Sequence, residues 1–370
     1  MKRIYLAFVL TGVATTMLGP LMPGFELRWG LDDARAGLLF AAQFLASVGL
    51  SAAAPALGKW LGYRRAVAIG LALVAAGTAG CMTPSWPLAL GAVALYGCGL
   101  GVAVTGSNLA IAAVSGGRSA RGLLWLNMCW SIGAVAAPAL VAKLGPAFLP
   151  AVAAGFAALA LTVGVRGANP RFAPASPGGE PAGLPHFRFA LVLFLYVGVE
   201  TAVSGWVSTY ASRSAAAAGL WAVLPAIFWS AILAGRAASP LALNRLPPRT
   251  LAPVGLGLAM LGAGALLSGA GAGAMVAGSI LAGFGMAPVF PVVVAEYADL
   301  SGGAVSGLVF SAAGLGGAAI PALVGAVSTA SGSLRVGLAS AVMWIPAILA
   351  VHAGLGAAPP GHTAGLRSRL

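Results

Sequence analysis

The chain has 370 residues, 60% of them hydrophobic and only 7% charged, and its mean hydropathy is +0.97. A water-soluble globular domain carries about 25% charged residues to cover its surface, so an ordinary soluble fold is excluded and lipid is the expected solvent. The net charge of +13 does not point to nucleic acid, because the basic residues stand singly or in pairs between apolar stretches, as membrane topology signals do.

A spanning helix needs about 20 apolar residues. Cutting at charged and Pro/Gly-rich breaks predicts spans over 4–24, 36–57, 66–82, 87–113, 121–143 and 147–165, then 189–211, 217–238, 250–268, 272–295, 304–328 and 335–354. The first run follows Met1-Lys2-Arg3 and carries Pro20 and Pro23 in place of a small-residue cleavage site, so it reads as a retained span and not a signal peptide. Between the two sets lies a Pro- and Gly-rich stretch from Arg166, which reads as a non-helical surface connector. The expected fold is an all-α integral membrane protein of twelve transmembrane helices. Its divisions are a six-helix bundle over 1–165, a cytoplasmic linker over 166–188, a second six-helix bundle over 189–354 and a cytoplasmic tail over 355–370.

The two sets resemble each other. Residues 133–141 read GAVAAPALV and 316–324 read GGAAIPALV, an offset of 183; residues 55–65 and 240–250 pair at an offset of 185. Two matches at nearly equal offsets argue for duplication, with the halves related by a pseudo-twofold axis and a substrate held between them near the midplane. With both termini cytoplasmic, fifteen of the twenty basic residues fall inside and five outside. That bias sets the orientation in a cell membrane, expected to be a bacterial inner membrane.

Twelve spans, a six-plus-six repeat and basic loops after the second and eighth spans resemble the major facilitator superfamily. The loop signature of that family is roughly G-x-x-x-D-R-x-G-R-R. The first copy here keeps Gly62, Arg64 and Arg65, with Pro55 and Lys59 at the Gly and Asp positions. The second keeps Arg245 and Arg249, with Asn244 at the Asp position and Gly235–Arg236 preceding it. These residues are the candidate gate motif, although both copies lack the acid of the family's charge relay. Segments 19–25, 37–44, 196–211 and 285–293 together resemble the fucose–proton symporter branch, which implies a sugar and coupling to protons or sodium. The essential acids of that branch, in the first and fourth helices, correspond here to Gly19 and Val104, so its coupling mechanism is not inherited.

Ionisable groups deep in a bilayer are costly and usually mark substrate or ion paths. Within the spans as cut, Glu200 is the only acid; it reads as a carboxyl that binds a proton or the substrate, or as a neutral acid bonding a freed backbone group. Gln43, Asn127 and Asn108 offer amides suited to hydroxyl groups or to bridging helices, with Asn108 leaning structural. Trp130, three residues after Asn127, shares its helix face, and Trp206 follows Glu200 by six residues. The candidate substrate-binding set is therefore Gln43, Asn127, Trp130, Glu200 and Trp206, with Glu200 also the candidate coupling group. Trp60 and Trp86 read as interfacial anchors. Glu296 and Asp299 read as a solvated helix end or as gate partners of Arg118, Arg121 or Arg236. Asp32 and Asp33 read as an N-cap and a first-turn dipole partner.

Cys81, Cys98 and Cys129 fall in apolar runs with no histidine near, so neither a disulfide nor a metal site is expected. The chain has no G-x-S-x-G, H-E-x-x-H or G-x-x-x-x-G-K motif, and no cofactor is expected. The expected activity is secondary transport of a small polar solute, a sugar or similar metabolite, by a monomer in the bilayer. The alternatives are a facilitator, or an exporter of a drug-like or amphipathic molecule; a channel and an intramembrane enzyme are further behind.

Overall fold

The computed structural model describes residues 2–115, 119–165, 184–300 and 307–355. Among the described residues every regular element is helical, with sixteen α-helices and two short 3-10 turns. The first half holds α1 (Lys2–Thr16), α2 (Leu18–Trp29), α3 (Asp33–Ser51), α4 (Ala54–Leu61), α5 (Tyr63–Gly80), α6 (Trp86–Ser115), α7 (Ser119–Leu144) and α8 (Phe148–Val165). The second holds α9 (Leu184–Ser212), α10 (Val223–Leu243), α11 (Pro248–Leu267), α12 (Ala272–Met286), α13 (Val289–Leu300), α14 (Gly307–Ser331), α15 (Leu334–Val342) and α16 (Ile345–Leu355).

Four pairs are single spans broken in the middle, and prolines account for the breaks. A proline ring clashes with the carbonyl four residues earlier and supplies no N–H to it. Pro20 therefore breaks the chain at Thr16, the last residue of α1, and α2 leaves at 45°. Pro55 acts on Ser51 at the end of α3, and Pro346 on Val342 at the end of α15. Pro288 and Pro291 lie at the break between α12 and α13. Joining the pairs leaves twelve segments. By length and apolarity alone nine helices among the described residues qualify as spans, ten with α1 and α2 joined. The other two follow because α7 and α8 form one continuous apolar stretch, 125–164, and because Arg64 and Arg65 dilute the start of α5.

Several boundaries differ from the sequence expectation. The first span continues to Trp29, which puts Glu26 on a helix, and α10 runs from Val223 to Leu243, which puts Arg236 well inside one. His186, expected in the connector, lies in α9. Residues 166–183 of the expected linker and 356–370 of the tail lie outside the described residues.

The duplication is visible in the packing. Helices without a hydrophobic drive between them approach closely through small residues. A Cβ on Gly133 of α7 would overlap the Val9 carbonyl of α1, and a Cβ on Gly316 of α14 would overlap the Phe194 carbonyl of α9. Gly70 and Gly99 join α5 to α6 in the same backbone-to-backbone way, as Gly255 and Gly285 join α11 to α12. The partners lie 183 to 186 residues apart, so the same contacts recur half a chain later. Between the halves, α3 packs on α14 and α7 on α10, two contacts that exchange under the same equivalence.

Twelve crossings bring the described ends, Lys2 and Leu355, to one face, the terminal face. The connections at 30–32, 81–85, 213–222 and 332–333 lie on the opposite, distal face.

Candidate functional site

Where the halves meet, α1 and α2 contribute Thr15, Thr16 and Gly19 to a central cavity, and α3 contributes Phe40 and Phe44. Trp130 enters from α7 and Trp229 from α10, while α9 supplies Val197, Glu200, Thr201, Ser204 and Gly205. The empty volume is about 550 Å3, part of it open to solvent. Trp130 and Trp229 meet edge to face with ring centroids 5.5 Å apart, so the two halves touch at the cavity through indoles.

Glu200 is the one ionisable side chain among the described residues lining this space. Its Oε1 accepts a hydrogen bond from the Tyr196 hydroxyl one turn earlier on α9, at 2.7 Å. The Arg236 guanidinium of α10 stands 3.8 Å from the same oxygen and also reaches Ser131 Oγ on α7 at 3.4 Å. The Tyr196 hydroxyl lies 2.9 Å from the Met286 carbonyl at the end of α12 as well, so its single proton has two acceptors. Glu200 Oε2 accepts no hydrogen bond among the described residues and is not enclosed. Glu200 is thus held from one side and open on the other.

Above the cavity, toward the distal face, the halves close tightly. A Cβ on Gly19 would stand 3.0 Å from the carbonyls of Ser204 and Gly205, so α2 and α9 meet backbone to backbone. Phe40 packs on Trp206, centroids 5.9 Å apart. At the surface Arg213, just past α9, donates to both Asp33 oxygens at 2.9 and 2.6 Å and to Glu26 Oε2 at 2.9 Å. Ser328 of α14 donates to Asp33, and the Ala34 N–H donates to Thr329 Oγ1. The hydrogen bonds to Asp33 hold the Arg213 guanidinium above its ordinary pKa. This cluster, which joins α2 and α3 to the second half, seals the distal face.

Of the sequence candidates, the structure brings Trp130 and Glu200 to the cavity. Gln43 is buried away from it, donating to the Thr15 carbonyl at 3.1 Å and accepting from Tyr96 at 2.7 Å. Asn127 is exposed, its amide donating to the Leu123 carbonyl four residues back on its own helix. Trp206 is fully buried and its indole N–H donates to the Pro321 carbonyl at 3.0 Å. Asn108 likewise bonds within its helix, to the Val104 carbonyl.

In the loop motif, Gly62 joins α4 to α5 at φ 83°, a conformation that favours glycine. Arg64 donates to the Val163 carbonyl, tying α5 to α8. Arg65, Arg245 and Arg249 are exposed at the terminal face. Arg236 does not belong with them, because it sits inside α10 beside Glu200. Glu296 pairs with His352 of α16 at 3.0 Å, within the second half. The side chains of Arg118, Arg121 and Asp299 lie outside the described residues. Asp32 caps α3 by accepting from the Arg35 N–H, whereas Asp33 is part of the distal seal. The sequence reading missed Tyr196, Ser131, Trp229 and Arg213; the first lies one helical turn before Glu200 and could have been found by that spacing.

A family model described as Major Facilitator Superfamily matches residues 4–321. No curated protein matches the chain. Among solved structures, a bacterial homologue of the human lysosomal transporter Spinster, inward-facing and occupied, superposes with a TM-score of 0.76 at 14% identity, covering 96% of each chain. A nucleoside transporter matches at 0.75 and 14%, over 96% of this chain and 98% of its own. The E. coli fucose:proton symporter matches at 0.64 and 20%, with the same shares. At these identities the likeness is one of fold.

Proposed function

The chain belongs to the Major Facilitator Superfamily, a multi-pass membrane family of secondary transporters, and from that premise we propose that it moves a small amphipathic solute by alternating access with proton coupling through Glu200. The observation that carries this reading is the cavity between the halves, walled by Trp130, Trp229, Phe40 and Phe44 and bearing one carboxyl with an open oxygen. A site that must bind and release a proton needs a hydrogen-bond arrangement for each state. With Glu200 ionised, Tyr196 donates to it; with Glu200 protonated, the carboxyl can donate while Tyr196 turns to the Met286 carbonyl. Both states are satisfied without moving a helix.

The distal seal and the cavity beneath it support one closed end of an alternating-access cycle. The termini are proposed to be cytoplasmic, in a bacterial inner membrane, with the protein acting as a monomer. A sugar is the second reading, favoured by the paired indoles, which offer faces for a sugar ring. It is the weaker one, because neither Gln43 nor Asn127 lines the cavity.

The test is transport in vesicles loaded with a pH-sensitive dye and offered hexoses, aromatic amines and aromatic alcohols in turn. Glu200→Gln keeps the shape but cannot ionise, so it should lose solute accumulation driven by a pH gradient and keep exchange between equilibrated compartments. Accumulation that survives in the variant removes Glu200 as the coupling group. A wild type that responds to no gradient is a facilitator.

A further inference from the structure

The only charged group in the described lining is an acceptor, and three of its hydroxyls present acceptors too. Thr15 donates to the Thr11 carbonyl, Thr16 to that of Gly12 and Ser204 to that of Glu200, at 2.7, 3.0 and 2.8 Å. These hydroxyl protons are committed to the helices, and each side chain shows the cavity only its oxygen lone pairs. Glu200 adds the open Oε2. Lysine, arginine, histidine and the side-chain amides are missing from the described lining. Arg236 forms an ion pair with Oε1 at 3.8 Å, beyond hydrogen-bond reach, and leaves Oε2 without a donor.

An anion would meet a carboxylate offset only by neutral donors, the Thr201 hydroxyl and the indole N–H groups of Trp130 and Trp229. An ammonium group meets a carboxylate, three hydroxyl oxygens and the indoles of Trp130 and Trp229, whose π faces attract cations. Resting on the reading of this cavity as the solute site of a proton-coupled carrier, we infer that the solute is a monocationic amine with an apolar body, its ammonium donating to Glu200 Oε2 and its body seated against the paired indoles of Trp130 and Trp229. A proton and an ammonium cannot both occupy that oxygen. Loading the amine on an acidified site therefore releases the proton from Glu200 to water, and reprotonation expels the amine, so the carrier exchanges one for the other.

The experiment uses purified full-length protein in detergent and four probes of similar or smaller size: 2-phenylethylamine, 2-phenylethanol, phenylacetate and glucose. The amine alone should raise the melting temperature, and it stays charged between pH 5 and 8. Its apparent Kd should rise toward roughly tenfold per pH unit as Glu200 takes up a proton, and its binding at low pH should release protons into weakly buffered solution, by linkage. Glu200→Gln should weaken amine binding roughly tenfold or more, by loss of the charge-assisted hydrogen bond, and abolish its pH dependence, whereas Trp229→Ala should weaken it and keep the pH dependence, which separates an altered site from a misfolded chain. Equal stabilisation by the alcohol or the carboxylate, a Kd indifferent to pH, or no stabilisation by the amine at millimolar concentration overturns the assignment. Those outcomes leave the vesicle test of Glu200 untouched. Amine binding without any coupled proton movement in vesicles would instead keep the solute class and sink the coupling.

Discussion

Arg213→Ala should unlatch the distal face. The guanidinium makes three hydrogen bonds to two carboxylates of the other half, and the Asp33 side chain is only 8% exposed. Stripping the partner from a buried carboxylate costs ~3–5 kcal/mol. The Arg213 side chain is 44% exposed, so solvent screening reduces this by about half, to roughly 1.5–2.5 kcal/mol. At 1.4 kcal/mol per factor of ten, the closed-to-open equilibrium should move about 10- to 70-fold toward the open distal face. A population open in about 1% of molecules would then reach about 10–40%. Spin labels at Leu27 and Val223, exposed on opposite halves of this face, would read the change as a second, longer distance. Arg213→Lys, which keeps the charge but not the fork of donors, should fall between. An unchanged distance distribution in folded Arg213→Ala protein would show that the cluster does not bias the conformation.

Gly133→Leu should abolish recovery of monodisperse protein by forcing α7 off α1, whereas Gly24→Leu, where a side chain meets nothing within 4 Å, should be recovered like wild type. Gln43→Leu leaves the fully buried Tyr96 hydroxyl without its acceptor; it should cost ~1–3 kcal/mol of stability, read as a lower melting temperature, with solute affinity unchanged. A fall in affinity without a fall in stability would return Gln43 to the binding set. Reporter fusions after Arg188 and at Leu370 should report cytoplasm and one near Pro146 the outside; the reverse pattern refutes the proposed orientation.

Twelve crossings and the duplication were legible because apolar length and internal offset survive in one dimension. The proline breaks were legible in principle: Pro20, Pro55 and Pro346 each stand four residues beyond a helix end, and the steric rule could have placed them. Facing was not. In spans apolar on every side, nothing in the residue order says whether an amide meets the cavity, a neighbour or lipid, which is how Gln43 and Asn127 came to be expected beside Trp130. Arg236 was misplaced because its span was cut short and a loop signature claimed it. The seal was invisible for another reason: Asp33 and Arg213 are 180 residues apart, and only tertiary structure brings such charges together.

The bend at Met17 makes α2 a lever. Gly19, near its fulcrum, rests on the Ser204–Gly205 backbone at the roof of the cavity, and Glu26, toward its free end, grips Arg213. Seven residues of helix separate the two, about 10 Å at 1.5 Å per residue. A tilt of roughly 10° about the fulcrum would swing Glu26 by about 2 Å over that arm, enough to break its hold on Arg213. A solute that presses on Thr15, Thr16 or Gly19 is therefore mechanically geared to the distal seal, and the proline that breaks the first span supplies the joint.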